Sequence, residues 1–524
     1  MCGILLLSGS PKEVAERALE KLYHRGPDSQ NLVETKDKFL GFSRLEINDL
    51  SSTGNQPFVS TDMFYMCNGE IYNHKALRES ESRFSFKSTS DCEVIIPLFE
   101  KGGIKNIVDQ IDGEYAIVIF DAKAEKVYAA RDPMGIRPLF YGYSKVDKKI
   151  CFASEVKALV EACTDISPVL PGHFYDGDKF EVFHDHSVVS SFSKDNIDQV
   201  AIKIRTKLEA AVEKRMHSDA KIGFLLSGGL DSSLVCAIAQ RLSDKPIKTF
   251  AIGMDEDAID LKYAKEVADH IGSDHTEVII SREDVIACLE GVVDSLETWD
   301  ITTIRASLGM SLICKFIKEK TDVKALMTGE VSDELFGYKY TDFAPSAEEF
   351  QKEASKRIKE LYIYDVLRAD RCISSHSLEA RVPFSDREFV DYVMSIDPKL
   401  KMNTYGMGKH LLRIAFEGDY LPKSILYREK AAFSDAVGHS LVDCIKDFAE
   451  KKYIDEDYIV TCSKFAHGKP FTKESLMYRE LFEKFYPNLG KLILSFWMPN
   501  KEWENCDVLD PSARVLPNYG LSGS

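Results

Sequence analysis

The sequence predicts an α/β protein with two domains. In the second half, short apolar runs alternate with longer amphipathic stretches, a pattern typical of a parallel sheet flanked by helices. The first half carries alternating apolar runs that predict antiparallel pairing, and residues 115–120 and 126–130 predict a hairpin. A chain of 524 residues is long enough for two or three domains with sizeable cores.

Composition and charge exclude several classes of protein. Apolar residues make up 44% and charged residues 29%, an ordinary globular balance. The formal charge of 67 − 84 = −17, without a dense basic tract, argues against a nucleic-acid binder. The 12 cysteines form no C-x-x-C pair, which indicates a reduced intracellular chain. No signal peptide is evident, and no apolar stretch approaches the ~20 residues of a membrane span, so we expect a cytoplasmic protein without a membrane partner.

The N-terminal half begins with a candidate nucleophile. Cys2 follows Met1, and its side chain is small enough for Met1 to be removed. An N-terminal cysteine has a base in its own α-amine, whose unperturbed pKa is about 7.7–8.0. A helix is predicted over 12–22, a strand over 41–49 and a strand over 64–67. Asn68-Gly69 follows that last strand, and this dipeptide alone favours a turn.

Four motifs of this half resemble, in the same order, those of class II N-terminal-nucleophile glutamine amidotransferase domains. They are Cys2-Gly-Ile, His24-Arg-Gly-Pro-Asp, Asn68-Gly-Glu-Ile-Tyr-Asn and Arg131-Asp-x-x-Gly-Ile-Arg-Pro-Leu. The resemblance implies an αββα sandwich of antiparallel sheets over residues 2–188. It also implies that Cys2 attacks the glutamine amide, forms a thioester and releases ammonia.

The same resemblance implies the residues around this nucleophile. Asn68 and Gly69 would form the oxyanion hole. Arg44 would pair with the α-carboxylate of glutamine and Asp91 with its α-ammonium. The rest of the implied pocket is Leu45, Glu46, Ile47, Asn48 and Glu70. From the residues alone, Arg44 and Asp91 would be surface ion-pair partners.

Residues 182–196 are polar and rich in His, Ser and Asp, which predicts a connection between domains. The spacing of His173, His184 and His186 fits no metal-ligand pattern, so we expect a solvated loop there. A long amphipathic helix over 197–216 leads into the second domain.

The second half opens with an apolar strand, a Ser-Gly-Gly turn and the start of a helix at residues 222–238. Glycines let the backbone approach a ligand, and the first helical N–H groups point at it. No Gly-Lys-Ser/Thr ends the turn, so it is not a Walker loop. Ser227-Gly228-Gly229-Leu230-Asp231-Ser232 instead resembles the pyrophosphate loop of enzymes that split ATP into AMP and pyrophosphate. The alternative is an ordinary tight turn between strand and helix.

Further strands are predicted over 248–254, 277–280 and 323–327, with a helix over 261–271. Ligands of parallel sheets bind at the carboxyl ends of the strands. Leu225, Ser227 and Ile252 lie at such ends, and we expect adenosine and phosphates to contact them. The resemblance to the ATP-splitting enzymes implies that ATP also contacts Gly228, Gly229, Asp231, Ser232, Thr328 and Gly329.

A second series of motifs runs from 328–338 through 409–413 and 428–435 to 510–514. It resembles the synthetase domain of glutamine-hydrolysing asparagine synthetases, and with the N-terminal half the resemblance covers nearly the whole chain. It implies an adenine-nucleotide α-hydrolase-like sheet with a helical C-terminal region over 200–520, and a homodimer.

This second resemblance also implies functional roles. Asp231 and Asp333 would hold Mg²⁺ with ATP, because that ion prefers hard oxygen ligands. Glu330 would be the base and Lys430 would stabilise charge on the transferring phosphate. Thr302 and Arg305 would join them in binding aspartate and the intermediate. Local residues alone instead favour a helix N-terminal carboxylate for Glu330 and a solvated lysine for Lys430.

Together the two halves imply ATP-dependent synthesis of L-asparagine from L-aspartate and glutamine. β-Aspartyl-AMP would be the intermediate, glutamate, AMP and pyrophosphate the other products, and ammonia would cross a closed interdomain passage. Two alternatives stay open. One is an amidotransferase of the same fold acting on another carboxylate, including ring-closing relatives, which generally lack the N-terminal cysteine. The other is a glutaminase whose synthetase half is silent.

Two positions depart from the family loop Ser-Gly-Glu-Gly-Ser-Asp-Glu. Thr328 replaces the first serine and keeps its hydroxyl. Val331 replaces the second glycine, and a valine would be strained there if the backbone needs a positive φ. Either the loop adopts an ordinary φ at Val331 or the site is altered.

Overall fold

The computed structural model describes residues 1–254, 258–429 and 439–519. The strands are β1 Gly3–Ser8, β2 Ser29–Thr35, β3 Lys38–Arg44, β4 Phe58–Ser60, β5 Met63–Ile71, β6 Gly113–Asp121, β7 Lys126–Arg131, β8 Phe140–Ser144, β9 Ile150–Ala153, β10 Cys163–Pro168, β11 His173–Tyr175, β12 Phe180–Val182, β13 Lys221–Leu225, β14 Lys248–Gly253, β15 Asp274–Ile279, β16 Val323–Met327 and β17 Glu379–Arg381. Within the same residues the helices are α1 Lys12–Glu20, α2 His74–Ser80, α3 Ile95–Gln110, α4 Ile197–Arg215, α5 Leu230–Leu242, α6 Ile259–Ile271, α7 Arg282–Leu296, α8 Ile301–Lys320, α9 Ser332–Phe336, α10 Ala347–Glu360, α11 Asp365–Ser374, α12 Arg387–Ser395, α13 Pro398–Lys401, α14 His410–Ala415, α15 Lys423–Leu426, α16 His439–Lys452, α17 Asp455–Cys462 and α18 Lys473–Phe485.

The N-terminal half is a sandwich of two antiparallel sheets, in strand orders β10-β8-β9-β1-β3-β2 and β12-β11-β7-β6-β5-β4. Side chains alternate across β1, so Ile4 and Leu6 pack between the sheets whereas Leu5 and Leu7 belong to the cluster that includes α1. Helix α3 covers the outer face of the second sheet. The predicted αββα sandwich is confirmed, and so is the hairpin, which is β6 paired with β7.

The turn that Asn68-Gly69 favours by itself is not formed. Both residues lie inside β5, where Asn68 pairs with Ala116 and Gly69 with Tyr115 of β6. A Cβ on Gly69 would lie 2.1 Å from the backbone oxygen of Glu114, so only glycine fits this close strand pairing. Long antiparallel pairing therefore overrides the local turn preference.

The C-terminal half is built on a five-stranded parallel sheet in the order β15-β14-β13-β16-β17. Apolar clusters cover both faces, one containing α7 and α8 and the other α4, α5 and α6. The predicted flanked parallel sheet and the helical region after it are confirmed. The carboxyl ends of β13, β14 and β16 meet at one edge, which is where the loops predicted to bind ATP begin.

Buried ion pairs join the two halves. Both members of each pair are at most 5% exposed at the side chain: Arg25–Asp370 at 2.9 Å, Glu155–Arg371 at 2.6 Å, Glu114–Arg215 at 2.8 Å, Glu70–Arg381 at 3.1 Å and Arg137–Glu379 at 4.0 Å. A buried charge is costly unless it keeps its partner. These pairs therefore tie the position of one half to that of the other.

The segment between β12 and α4 is less solvated than expected. His186 is only 3% exposed, so the prediction of a solvated loop is wrong for this residue. Among the described residues, no helix combines the length and apolar character needed to cross a bilayer.

Candidate active sites

Cys2 lies immediately before β1, where the ends of β1 and β3 and the strand β5 converge. The backbone N–H of Leu45 donates to Cys2 Sγ at 3.4 Å, and the Cys2 N–H donates to Asn68 Oδ1 at 2.9 Å. Arg25 Nε donates to the Cys2 carbonyl at 2.8 Å. The predicted nucleophile is thus fixed by three different segments of the N-terminal half.

The sulfur of Cys2 needs a base. Burial raises the pKa of its thiol to about 11, so the reactive thiolate is scarce at neutral pH. Met1 is fully buried, and its amine donates to the carbonyl of Leu378 at 3.2 Å. Burial also lowers the pKa of the Met1 amine to about 5. While Met1 is attached, the Cys2 nitrogen is a peptide N–H and cannot accept the thiol proton.

Asn68 has the free donor that an oxyanion hole requires. Its side chain is buried, and its Oδ1 is taken by the Cys2 N–H. Its Nδ2 has no hydrogen-bond partner among the described residues. A buried amide donor left open beside a nucleophile is suited to a developing negative charge. Gly69, the other predicted donor, follows it in β5 and is partly exposed.

The predicted glutamine pocket is largely buried. Asp91 accepts from the Ile71 N–H at 2.7 Å, and burial raises the pKa of its carboxyl. Glu70 accepts from Asn48 Nδ2 and pairs with Arg381, yet burial and the nearby Glu379 raise its pKa well above the usual range.

The Arg44 side chain binds the loop that follows β3, at residues 49–55. Its guanidinium donates to the Ser51 carbonyl at 2.6 Å, to Asn55 Oδ1 at 2.8 Å and to the Asp49 carbonyl. Arg44 and Asp91 are 4% and 3% exposed, so the alternative that they are surface ion-pair partners is wrong. Beside Arg44, Leu45 and Ile47 are buried, whereas Glu46 is partly exposed and donates its N–H to Asp28.

The loop between β13 and α5, which is predicted to bind phosphate, has the geometry that its glycines predict. Gly228 has φ +69°, and a Cβ there would lie 2.6 Å from the Ala264 nitrogen. The Ser227 N–H donates to Ser232 Oγ at 3.2 Å, which closes the loop on the first turn of α5. A Cβ on Gly329 would lie 2.8 Å from the Ser232 nitrogen, so the facing loop approaches only because it has glycine there. The alternative of an ordinary tight turn does not explain this second close approach.

One cavity of about 260 Å³ opens at this edge of the sheet. Every predicted ATP, aspartate and metal residue among the described residues lines it except Gly228, whose carbonyl accepts from Arg428. The predicted members of the lining are Leu225, Ser227, Gly229, Asp231, Ser232, Ile252, Thr302, Arg305, Thr328, Gly329, Glu330 and Asp333. Lys430 falls outside the described residues.

Asp231 and Asp333 share one cationic partner, Lys409. Its Nζ lies 2.8 Å from both carboxylate oxygens of Asp231, 2.5 Å from Asp333 Oδ1 and 3.0 Å from Ser332 Oγ. The two carboxylates are thus close enough to hold one cation, and hard oxygen donors are what Mg²⁺ prefers. Lys409 carries no role in the sequence argument, although two glycines, Gly406 and Gly408, precede it in a loop that reaches the site.

Glu330 also has a cationic partner that the sequence did not indicate. Arg368, on α11, donates to Glu330 Oε1 at 2.9 Å and to Asp365 at 2.8 Å. Val331 follows Glu330 with φ +81° and immediately precedes the short helix α9. The expectation that this loop could adopt an ordinary φ at Val331 is therefore wrong, and the valine is strained.

Thr302 and Arg305 lie on the first two turns of α8. Thr302 Oγ1 donates to Asp300 Oδ2 at 2.6 Å. Arg305 binds both oxygens of Glu474, at 2.7 and 2.6 Å, and Asp510 at 2.9 Å. Arg305 thus has a structural role, because its ion pairs connect α8 to α18 and to the C-terminal segment. Its predicted contact with substrate stays a prediction.

Two family matches divide the chain. Residues 1–173 match the family described as a glutamine amidotransferase domain, and residues 203–351 and 342–513 match the family described as asparagine synthase. The chain is 40% identical to the asparagine synthetase [glutamine-hydrolyzing] of Cricetulus griseus, with 99% of each chain covered. It is 39% identical to the probable asparagine synthetase [glutamine-hydrolyzing] of Acanthamoeba polyphaga mimivirus, covering 99% of this chain and all 100% of that protein.

Two similar solved structures cover little more than half of this chain. A glutamine phosphoribosylpyrophosphate amidotransferase from B. subtilis is 18% identical with a TM-score of 0.33, covering 54% of this chain and 91% of that one. An NMN synthetase from Francisella tularensis is 13% identical with a TM-score of 0.25, covering 59% of this chain and 100% of that one. The family assignment instead rests on the two domain matches and the full-length relatives, by which this chain belongs to the family of glutamine-hydrolysing asparagine synthetases.

Proposed function

We propose that the chain makes L-asparagine from L-aspartate, with glutamine as the source of ammonia and ATP as the activator. Glutamate, AMP and pyrophosphate are the other products. The observation that carries this proposal is the single cavity in which the Ser227–Ser232 loop, the Asp231–Asp333 pair and Glu330 converge. A nucleotide, a metal and a base for ammonia can meet there.

The glutaminase reaction starts with removal of Met1. The freed amine of Cys2 would lie where its nitrogen now donates to Asn68 Oδ1, beside its own sulfur. The amine takes the thiol proton, and the sulfur attacks the glutamine amide carbon. Asn68 Nδ2 and the Gly69 N–H stabilise the oxyanion, the proton passes to the leaving nitrogen, and ammonia departs. Water then hydrolyses the thioester to give glutamate and restores the thiol.

The synthetase reaction activates a carboxylate that ammonia does not attack by itself. A β-carboxylate oxygen of aspartate attacks the α-phosphorus of ATP, and the bond to pyrophosphate breaks. Ammonia then attacks the acyl carbon of β-aspartyl-AMP, AMP leaves, and the proton lost by the attacking nitrogen goes to Glu330. Arg368 fixes the Glu330 carboxylate for this role.

Asp231 and Asp333 are the residues that would hold Mg²⁺. The fit is supported by their convergence on Lys409, which contacts three oxygens of these two carboxylates. The ion, when bound with ATP, offsets charge on the departing pyrophosphate. Lys409 would then exchange its carboxylate partners for phosphate oxygens.

The test supplies the protein with aspartate and Mg-ATP and either glutamine or ammonia. With either nitrogen source, we expect asparagine, AMP and pyrophosphate to form in amounts equal to one another. ADP and phosphate in place of AMP and pyrophosphate would contradict the proposal. A Cys2→Ala variant should use ammonia only, and loss of both activities would contradict the assignment of two sites.

A second candidate function is that of a glutaminase whose synthetase half is inactive, and the positive φ of Val331 favours it. In that case the same assay gives glutamate from glutamine without AMP. The 12 free cysteines support a cytoplasmic location. The net charge of −17 supports the absence of nucleic-acid partners. A homodimer stays a prediction from the family.

A further inference from the structure

Three potential metal ligands converge at the segment that connects the two halves. His184 and His186 lie just after β12, and Asp391 lies on α12. His184 Nε2 is 3.0 Å and His186 Nδ1 is 2.7 Å from Asp391 Oδ1, and the two nitrogens are 3.1 Å apart. The imidazole rings stand at 73° to each other, and one nitrogen of each ring lies within hydrogen-bond distance of the same carboxylate oxygen.

We propose that His184, His186 and Asp391 bind a divalent transition-metal ion of the Zn²⁺ class. Two imidazoles and a carboxylate suit Zn²⁺ or Co²⁺ rather than Mg²⁺ or Ca²⁺, which prefer oxygen-only sites. In a tetrahedral site with bonds of about 2.0–2.1 Å, donor atoms stand roughly 3.3 Å apart. The observed separations of 2.7–3.1 Å need to widen by only a few tenths of an ångström, and Asp391 is exposed enough to move.

Hydrogen bonding alone satisfies this cluster poorly. If both rings donate to Asp391 Oδ1, their two N–H groups crowd each other at a separation of 3.1 Å. His186 is 3% exposed, and its Nε2 has no hydrogen-bond partner among the described residues. Burying an imidazole with one unsatisfied nitrogen is costly. A metal bond at the other nitrogen would offset that cost better than one shared hydrogen bond does.

Arg387 is the group that opposes the ion. It lies one turn before Asp391 on α12, and its Nη2 is 3.3 Å from His184 Nδ1, to which it donates. An imidazole that binds metal through Nε2 carries its proton on Nδ1. Arg387 therefore has to turn away when metal binds, and its half-buried position leaves it a path to solvent.

Such a site would join the connecting segment to the C-terminal half. His184 and His186 belong to the segment, whereas Asp391 belongs to a helix packed against α4. Metal binding would fix the path of the chain at the point where it passes from one half to the other.

The experiment uses the full-length protein, stripped with chelator, and Co²⁺ or Zn²⁺ without nucleotide. We expect wild type to bind one more ion than His184→Ala or Asp391→Asn, with a visible Co²⁺ absorption that both variants lose. His173→Ala is the matched control and should bind like wild type, because the one hydrogen bond that the His173 side chain makes to described residues is with the Pro171 carbonyl, at 2.8 Å. Circular dichroism and ammonia-dependent synthesis confirm that each variant is folded.

Equal metal content in wild type and in the two ligand variants overturns the proposal and leaves a hydrogen-bonded triad. The variant comparison also separates this site from binding by thiols, which all the variants retain. Arg387→Ala gives an independent check, because removal of the opposing charge should tighten Co²⁺ binding by tenfold or more. Unchanged or weaker binding by that variant contradicts this choice of ligands.

Discussion

Val331 combines a left-handed backbone with a buried, β-branched side chain: φ is +81° and exposure is 2%. The left-handed conformation costs a non-glycine residue roughly 1–2 kcal/mol. Burial of the valine side chain contributes about 1.5–3 kcal/mol in the other direction. Packing therefore compensates strain at this position, and Glu330 and Asp333 keep their places on either side of it.

Replacement of Val331 tests this balance. Val331→Gly and Val331→Ala lose nearly the same buried surface, but only glycine relieves the backbone. We expect the glycine variant to be more stable than the alanine variant by about 1 kcal/mol in urea unfolding. The control is Gly291→Ala on α7, where a Cβ would meet no described atom within 4 Å and alanine should be the better residue by about 0.5–1 kcal/mol. If alanine is more stable than glycine at position 331 as well as at position 291, Val331 is not left-handed.

Asn68 provides the second residue-scale prediction. Asn68→Ala removes the open Nδ2 donor, and we expect glutamine hydrolysis to fall by about 10²–10³ in kcat. Synthesis from ammonia should be unchanged, because that reaction does not use the Cys2 site. Parallel assays of glutamate and asparagine check this. A loss smaller than tenfold would mean that Asn68 does not stabilise the oxyanion.

Among the elements, α11 reaches both sites. Arg368 on this helix binds Glu330, and Asp370, half a turn later, binds Arg25 at 2.9 and 3.2 Å. Arg25 in turn donates to the Cys2 carbonyl. A single helix therefore connects the nucleophile of one half to the proposed base of the other through two charged contacts.

Asp370→Asn should weaken the connection between the two reactions. We expect glutamine-dependent synthesis to fall roughly fivefold or more relative to ammonia-dependent synthesis. Glutamate formed per asparagine should then exceed one. Asp419→Asn, which removes the exposed partner of Arg241, is the control and should leave that ratio unchanged. An unchanged ratio in Asp370→Asn would show that α11 does not couple the sites.

The sequence predicts well those parts of the site that lie within one short segment. The Ser227–Ser232 loop is one of these, because a strand, a glycine turn and a helix start are all local features. Lys409 and Arg368 could not be found in this way, since each reaches the cavity from an element distant in sequence. The turn expected at Asn68-Gly69 fails because pairing with β6 outweighs a local preference. His186 is buried, and it contacts Asp391 of α12, an element more than 200 residues away in sequence.

At the scale of the molecule, Glu155 joins the two halves through Arg371 while it also pairs with Arg25 and His24 of its own half. Its Oε1 lies 2.7 Å from Arg25, 2.6 Å from Arg371 and 3.2 Å from His24. Burial alone would raise its pKa, but Arg371, with His24 and Lys157, holds the pKa well below the usual range. A carboxylate of this kind stabilises the fold above its unfolded pKa, and that stabilisation is lost as pH falls through its folded pKa.

Glu155→Gln should therefore be destabilised in a pH-dependent way. At pH 7 we expect a loss of about 3 kcal/mol, because two buried arginines each lose one carboxylate partner, although Arg25 keeps Asp370 and Arg371 keeps Glu297. The difference from wild type should shrink as pH falls below about 4.3, the unperturbed value for glutamate. Urea unfolding at several pH values measures it. Asp109→Asn, from an exposed pair with Lys105, should change stability by less than about 1 kcal/mol at every pH.

The buried ion pairs between the two halves also constrain how the sequence can evolve. Each buried arginine or carboxylate at the boundary is matched by a residue encoded more than 100 positions away, as Arg25 is by Asp370 and Glu114 by Arg215. A substitution on one side alone leaves an unpaired charge in the interior, so the two sides have to vary together. A chimera that takes its first half from one relative and its second from another should fold only where these pairs agree, however well each half is formed.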